Sequence, residues 1–167
     1  MARNHRIAAF AGVAAAAVVL DQVSKAWART ALAGGPVPLI PNVLDLALVM
    51  NTGAAFSIGS GSTWVFVVLA VVIVAAAAVW VVREKGMPAS LAATLGAVAG
   101  GGIGNLIDRV VAGQVTDFFA TAFIDFPVFN VADIFVTCGV ILSLILVWRY
   151  DSACAADEAG SANGEGR

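Results

Sequence analysis

Four apolar runs, each long enough to cross a bilayer, leave this chain few folds. They are Ile7–Ala28, Trp64–Val82, Pro88–Val111 and Val128–Trp148, and a spanning helix needs about 20 residues. Within hydrocarbon every backbone N–H and C=O must be satisfied inside the segment, so the runs read as helices. The composition agrees: of 167 residues, 60% are hydrophobic and 12% charged, where a soluble domain carries about a quarter charged. The length fits one domain. The net charge of −2 offers no basic face for nucleic acid. Two cysteines make no disulfide framework; Cys138 and Cys154 read as free thiols.

The first run has a rival reading as a cleaved signal peptide, with Arg3 and Arg6 before an apolar stretch and Ala31-Leu32-Ala33 as a cleavage-like triplet. Against it, the triplet lies far beyond the apolar stretch, and Asp21-Gln22-Val23-Ser24-Lys25 intervenes. Lys and Arg set the orientation. They precede the first run (Arg3, Arg6), lie between the second and third (Arg83, Lys85) and close the fourth (Arg149), and are missing from Thr30–Thr63 and Val110–Trp148. Both termini are therefore expected in the cytoplasm, with the two longer connections outside. The composition of Asp157–Arg167 predicts disorder, so residues 151–167 are expected to form a disordered cytoplasmic tail. In the connection Ala31–Thr63, Pro36, Pro38 and Pro41 oppose a helix. There Val43–Met50 predicts a short strand, while Asn51-Thr52-Gly53 and Gly59–Ser62 predict turns. The fold expected is an all-α membrane protein, a four-transmembrane-helix bundle with a small extracytoplasmic β-platform between helices 1 and 2.

The polar residues inside this apolar chain fall at one level. At about 1.5 Å per residue, Asp21 lies roughly 22 Å from Arg6, and Asp133 roughly 24 Å from Arg149. Asn105, Asp108 and Arg109 come near the outer end of the third run. Asp117 follows in a short stretch rich in Phe118, Phe119, Phe123 and Phe126, expected to be a loop dipping into the interface. Asp21 and Lys25 are spaced i,i+4, as are Asn105 and Arg109, while Asn130 and Asp133 are i,i+3, so each helix presents a polar stripe. Such stripes also serve as interhelical glue, and Asp133 could simply cap the last helix. Gly96, Gly100, Gly101, Gly102 and Gly104 would let the third helix approach its neighbours closely.

Chemistry narrows by elimination. The sole histidine, His5, lies in the N-terminal segment, which removes histidine-based triads and His-rich zinc sites. Ser24 and Lys25 are adjacent and point apart; Ser57 or Ser60 with Lys25 remains a lesser alternative. Intramembrane carboxylates are costly, roughly 2.5–3.5 kcal/mol at a helix centre, and mark functional sites. Asp117 and Asp133 are the credible acid–base pair, since two close carboxylates share a proton.

Five blocks now carry a family likeness: Asp21-Gln22-Val23-Ser24-Lys25, Asn51-Thr52-Gly53-Ala54-Ala55-Phe56-Ser57, Gly104-Asn105-Leu106-Ile107-Asp108-Arg109, Val115-Thr116-Asp117-Phe118 and Phe129-Asn130-Val131-Ala132-Asp133. In this order across four spans, the chain resembles the bacterial lipoprotein signal peptidases (signal peptidase II), which are aspartic membrane peptidases. The resemblance implies that residues 1–150 form one peptidase domain in the bacterial inner membrane, with its active site near the outer face. It implies Asp117 and Asp133 as the catalytic dyad, without metal or cofactor. The substrate implied is a diacylglyceryl-modified prolipoprotein, cut just before the lipidated cysteine. Asn51, Gly53, Asn105, Arg109 and Asn130 would contact it, Asp21, Lys25 and Asp108 would support the site, and Phe119–Phe126 would be a mobile flap. The partners implied are prolipoproteins and membrane lipid, for a monomer. Ile134 departs from the small residue many relatives have there. The rival is a small proton- or cation-coupled carrier, which predicts polar residues across the whole membrane thickness; the inner half of each span reads as apolar. A polar-glued scaffold would not explain polar groups on one side only.

Overall fold

The structure, a computed structural model, describes residues 2–53 and 63–164, with side chains for 3–53 and 63–149. The order is α1 (Ala2–Ala31), β1 (Val37–Ile40), β2 (Leu44–Asn51), α2 (Thr63–Arg83), α3 (Ala89–Ala112), β3 (Val115–Thr121) and α4 (Val131–Gly164). All four helices contain a stretch long and apolar enough to span a membrane. The helix α4 carries on past Arg149 over residues expected to be a disordered tail. Alanine and glutamate there are good helix formers, and extending an existing helix avoids the cost of nucleation.

The helix α3 is the hub. It packs against α1, α2 and α4, and about half of its most apolar window is buried, against 17% in each other helix. Its glycines explain the closeness. A Cβ at Gly96 would run into the Phe10 carbonyl, and one at Gly100 would stand 2.7 Å from the Ala17 Cβ. One at Gly101 would stand 2.5 Å from the Ala132 carbonyl oxygen, so the two faces of α3 bring α1 and α4 equally near. At Gly102 the same atom would meet only Val74, at an ordinary 3.5 Å. The outer faces of α2 and α4 stay apolar and exposed, as at Val65, Val68, Leu144 and Trp148, which fits contact with lipid.

The sheet runs β1-β2-β3, antiparallel throughout. The expected strand after Pro41 is β2. Two further strands were not expected. The first, β1, contains Pro38 and is an edge strand, where the missing N–H costs no ladder bond. The second, β3, corrects the aromatic-loop reading: Val115–Thr121 is a paired strand, with Phe119 opposite Leu46 and Asp117 opposite Val49. The platform is therefore completed by the α3–α4 connection, not by the α1–α2 connection alone. Phe118 is buried with Ala28, Leu32 and Leu46, which fastens the sheet to the end of α1. The α3–β3 turn rests on Gly113, whose φ of 73° gives a left-handed cap and whose N–H donates to the Arg109 carbonyl at 3.0 Å. Phe129 then folds back on β3, accepting the N–H groups of Phe118 and Phe119 at 3.0 and 2.8 Å. The flap expected over Phe119–Phe126 thus loses Phe119, Ala120 and Thr121 to the sheet.

Candidate active site

Asp117 and Asp133 line one cavity of about 530 Å³ with Asn51, Gly53, Asn105 and Arg109. Different elements deliver them. Asp117 stands on β3, where the register puts Asn51 of β2 diagonally beside it on the same face. The Asn51 Nδ2 donates to Asp117 Oδ2 at 3.0 Å, and Asn130 Nδ2 donates to Asp117 Oδ1 at 2.6 Å. Burial pushes Asp117 up to about 6; the Asn51 hydrogen bond opposes this and the neighbouring Asp133 charge adds to it.

Asp133 belongs to the first turn of α4. Its N–H donates to Asn130 Oδ1 at 3.1 Å, while its own Oδ2 accepts the Asn130 N–H at 3.0 Å. This reciprocal pair is a capping box with Asn as the cap. Asp133 Oδ1 accepts Asn105 Nδ2 at 2.8 Å. The same side chain that caps α4 also lines the cavity.

A buried network lies behind. Lys25 and Asp21 are fully buried and paired at 2.9 Å, and Lys25 stands 3.4 Å from Asp108. Lys25 Nζ also donates to Asn105 Oδ1 at 2.8 Å, which Asn130 Nδ2 reaches at 3.0 Å. With two donors on its oxygen, the Asn105 amide can only turn its nitrogen to Asp133. Asp21 Oδ1 accepts the Ala132 N–H at 3.0 Å, so the equal depths read for Asp21 and Asp133 are joined through the residue just before Asp133. Asp108 Oδ2 accepts the Thr116 N–H at 2.9 Å and fixes the strand one residue before Asp117. Arg109 donates to the Gly53 carbonyl at 3.1 Å and lies over the Phe66 ring, 5.3 Å from its centroid.

The structure thus brings together Asp21, Lys25, Asn51, Gly53, Asn105, Asp108, Arg109, Asp117, Asn130 and Asp133. Ser24 is turned back onto the Asp21 carbonyl at 2.8 Å; Ser57, Ser60, the Gly59–Ser62 turn and the second half of the Asn51–Ser57 block lie outside the described residues. Two contributors were missed. Gln22 Nε2 reaches Asp21, the Gly104 carbonyl and Asp108 at 3.1, 3.1 and 3.3 Å. Arg29 donates to Thr116 Oγ1 at 2.9 Å. The spacing Asp21, Lys25, Arg29 was a visible signal, an i,i+4,i+8 stripe. The inner half is also less apolar than expected, because Ser143 donates to Thr94 at 2.8 Å between α4 and α3.

Fold and site define a polytopic membrane protein with a paired-carboxylate centre at one end of its bundle. The family model described as signal peptidase (SPase) II matches residues 13–149. The lipoprotein signal peptidase of Streptococcus pyogenes serotype M1 is 41% identical over 133 residues, 79% of this chain and 88% of the relative. That of Bifidobacterium longum (strain DJO10A) is 44% identical over 150 residues, 85% and 80%. A bacterial membrane enzyme solved by the in meso method superposes with a TM-score of 0.77 at 32% identity, covering 84% of this chain and 88% of that one. The chain belongs to the signal peptidase II family. It is a bacterial membrane peptidase, and the carrier reading is set aside.

Proposed function

We propose that Asp117 and Asp133 are the catalytic dyad of an aspartic endopeptidase that frees diacylglyceryl-modified prolipoproteins of their signal peptides, cutting just before the lipidated cysteine. The observation that carries this is the opening of both carboxylates onto one cavity, each held by its own set of donors. Asp117, raised to about 6, is the readier holder of the shared proton and gives it to the scissile carbonyl oxygen. Asp133 takes a proton from water, whose oxygen attacks the carbonyl carbon. Collapse of the tetrahedral adduct returns a proton to the leaving amine and breaks the C–N bond.

Asn51, Gly53, Asn105, Arg109 and Asn130 line or border the cavity with backbone-binding groups. Phe126, Pro127, Val128 and Phe129 close its rim, and a rim that shuts over substrate would exclude water. The distribution of Lys and Arg supports cytoplasmic termini and a site facing outward. At that depth a diacylglyceryl anchor would hold the scissile bond level with the dyad.

The test is cleavage of a diacylglyceryl-modified lipobox peptide by the purified protein in detergent with excess chelator, beside Asp117→Asn and Asp133→Asn. Cleavage that withstands chelator and is lost in each variant is expected. A variant that cuts at the wild-type rate removes that aspartate from the dyad.

A further inference from the structure

At the helix ends opposite the dyad, a second cavity of about 510 Å³ is lined by Arg3, Arg6, Val82, Arg83 and Lys85. We propose that it is a binding site for the phosphate of an anionic membrane phospholipid.

Arg6 is the anchor of the argument. It is 2% exposed, and its Nη1 and Nη2 donate to the Lys85 and Val82 carbonyls at 3.1 and 3.3 Å. Its Nε is buried without a hydrogen-bond partner. The carbonyls at the end of α2 explain why Arg6 docks there, since a cation suits a helix C-terminus. They are neutral, however, and a buried charge without a counter-charge is costly. Arg3, Arg83 and Lys85 share the cavity and add like charge. Among the described residues the ion pairs all lie at the dyad end, and none involves these four cations. The nearby acid, Glu84, does not line the cavity; its Oε1 accepts the Gly86 N–H at 3.2 Å.

Four cations around one hollow call for an anion with several acceptor oxygens, and phosphate suits guanidinium forks and an ammonium together. A lipid source is favoured by what adjoins the cavity. Val82 on its wall and Val79 one turn away on α2 are about half exposed, at 54% and 49%, so an apolar surface for an acyl chain continues from the charged hollow. Basic pockets at the ends of spanning helices take phospholipid headgroups in this way. The cavity and its cations are the same whatever the role of Asp117 and Asp133 and whichever leaflet they face.

The test titrates the full chain, in a zwitterionic detergent, with phosphatidylglycerol, with phosphatidylcholine and with inorganic phosphate, reading bound species by native mass spectrometry. Phosphatidylglycerol is expected to bind at least about fivefold tighter than phosphatidylcholine. Arg83→Gln and Lys85→Gln, both leaving the Arg6 contacts in place, should each weaken phosphatidylglycerol about fivefold and leave phosphatidylcholine unchanged. Arg83→Lys should retain most of the affinity. Equal binding of the two lipids, or Gln variants that keep the preference, would overturn the proposal. So would inorganic phosphate binding as tightly as phosphatidylglycerol, which would make this a free-anion site. Arg6 is left untouched because its loss could unseat α1 from α2, and the wild-type lipid comparison stands without any variant.

Discussion

Replacing Asp117 by Asn should make the protein more stable while removing its activity, and the gain should grow with pH. Asp117 is 3% exposed, and burial raises it from 3.8 to about 6. At about 1.4 kcal/mol per tenfold in proton affinity, the ionised side chain costs the folded state about 3 kcal/mol. The sign follows from proton counting. Between the two values the native state holds more protons than the unfolded chain, so stability falls as pH rises through that window and stays lowered above it. Asparagine carries no such penalty. It brings a different one, because its NH2 must face one of the two amide donors now served by Asp117, Asn51 Nδ2 or Asn130 Nδ2. That cost is independent of pH, so the pH dependence isolates the charge. About 2 of the 3 kcal/mol should emerge between about pH 4.5 and 7.5.

Thermal unfolding in detergent, followed by tryptophan fluorescence, measures this as the Tm of Asp117→Asn minus that of wild type. The difference should climb by several degrees across that range. Asp133→Asn is the control: its oxygens accept the Asn130 N–H and Asn105 Nδ2, so the substitution sets an NH2 against a donor and breaks the capping box. A Tm difference for Asp117→Asn that stays flat with pH would show that Asp117 bears no burial penalty, and with it would go the reason for giving Asp117 the shared proton.

Asn51→Ala removes a hydrogen bond that favours the ionised form of Asp117, so the alkaline limb of the kcat/KM profile should move to higher pH even as the rate falls; an unmoved limb refutes the link. Gly104→Ala drives a methyl into the Asp21 carboxylate, whereas Gly102→Ala meets only Val74 at 3.5 Å. The first should cost at least about 1–3 kcal/mol and the second be tolerated, as Tm values will report. Lys25→Met leaves Asp21 and Asp108 buried beside an uncharged neighbour, a loss of about 3–5 kcal/mol, and equal Tm values would contradict the network. Cys138 is exposed and lines the cavity, so a bulky maleimide should block cleavage in wild type but spare Cys138→Ala; inhibition of both would place the effect elsewhere.

The spans were legible because hydropathy needs no partner: a run of apolar residues must be buried in lipid whatever the rest of the chain does. The gathering of Asp21, Asn105 and Asp133 was legible for a similar reason, since helical rise is fixed. What escaped was pairing. Val115–Thr121 contains Phe118-Phe119, which breaks alternation, and it is a strand only because β2 offers an edge far away in sequence. β1 was hidden by Pro38, which edge strands tolerate. Gln22 was missed because it sits off the i,i+4 stripe, and one of its partners is the backbone carbonyl of Gly104, which no side-chain pattern marks.

Asp133 shows why the bland and the functional readings of a residue need not compete. A helix start supplies N–H donors that no intrahelical carbonyl uses, and a carboxylate one turn in is fixed by them. Oδ2 is bound to the Asn130 N–H and Oδ1 to Asn105, so the group has little rotational freedom left. Asp117 gains the same fixity differently, from amides on two other elements. The side chain common to both is Asn130, which takes the Asp133 N–H on its oxygen and gives its nitrogen to Asp117. Its position follows from Phe129, tied to β3 through Phe118 and Phe119. The spacing of the proposed dyad is therefore set where the sheet meets the start of α4. A substitution that preserves both carboxylates yet loosens the Phe119–Phe129 bridge should lower kcat more than it raises KM, because the carboxylates, not the substrate contacts, would drift apart.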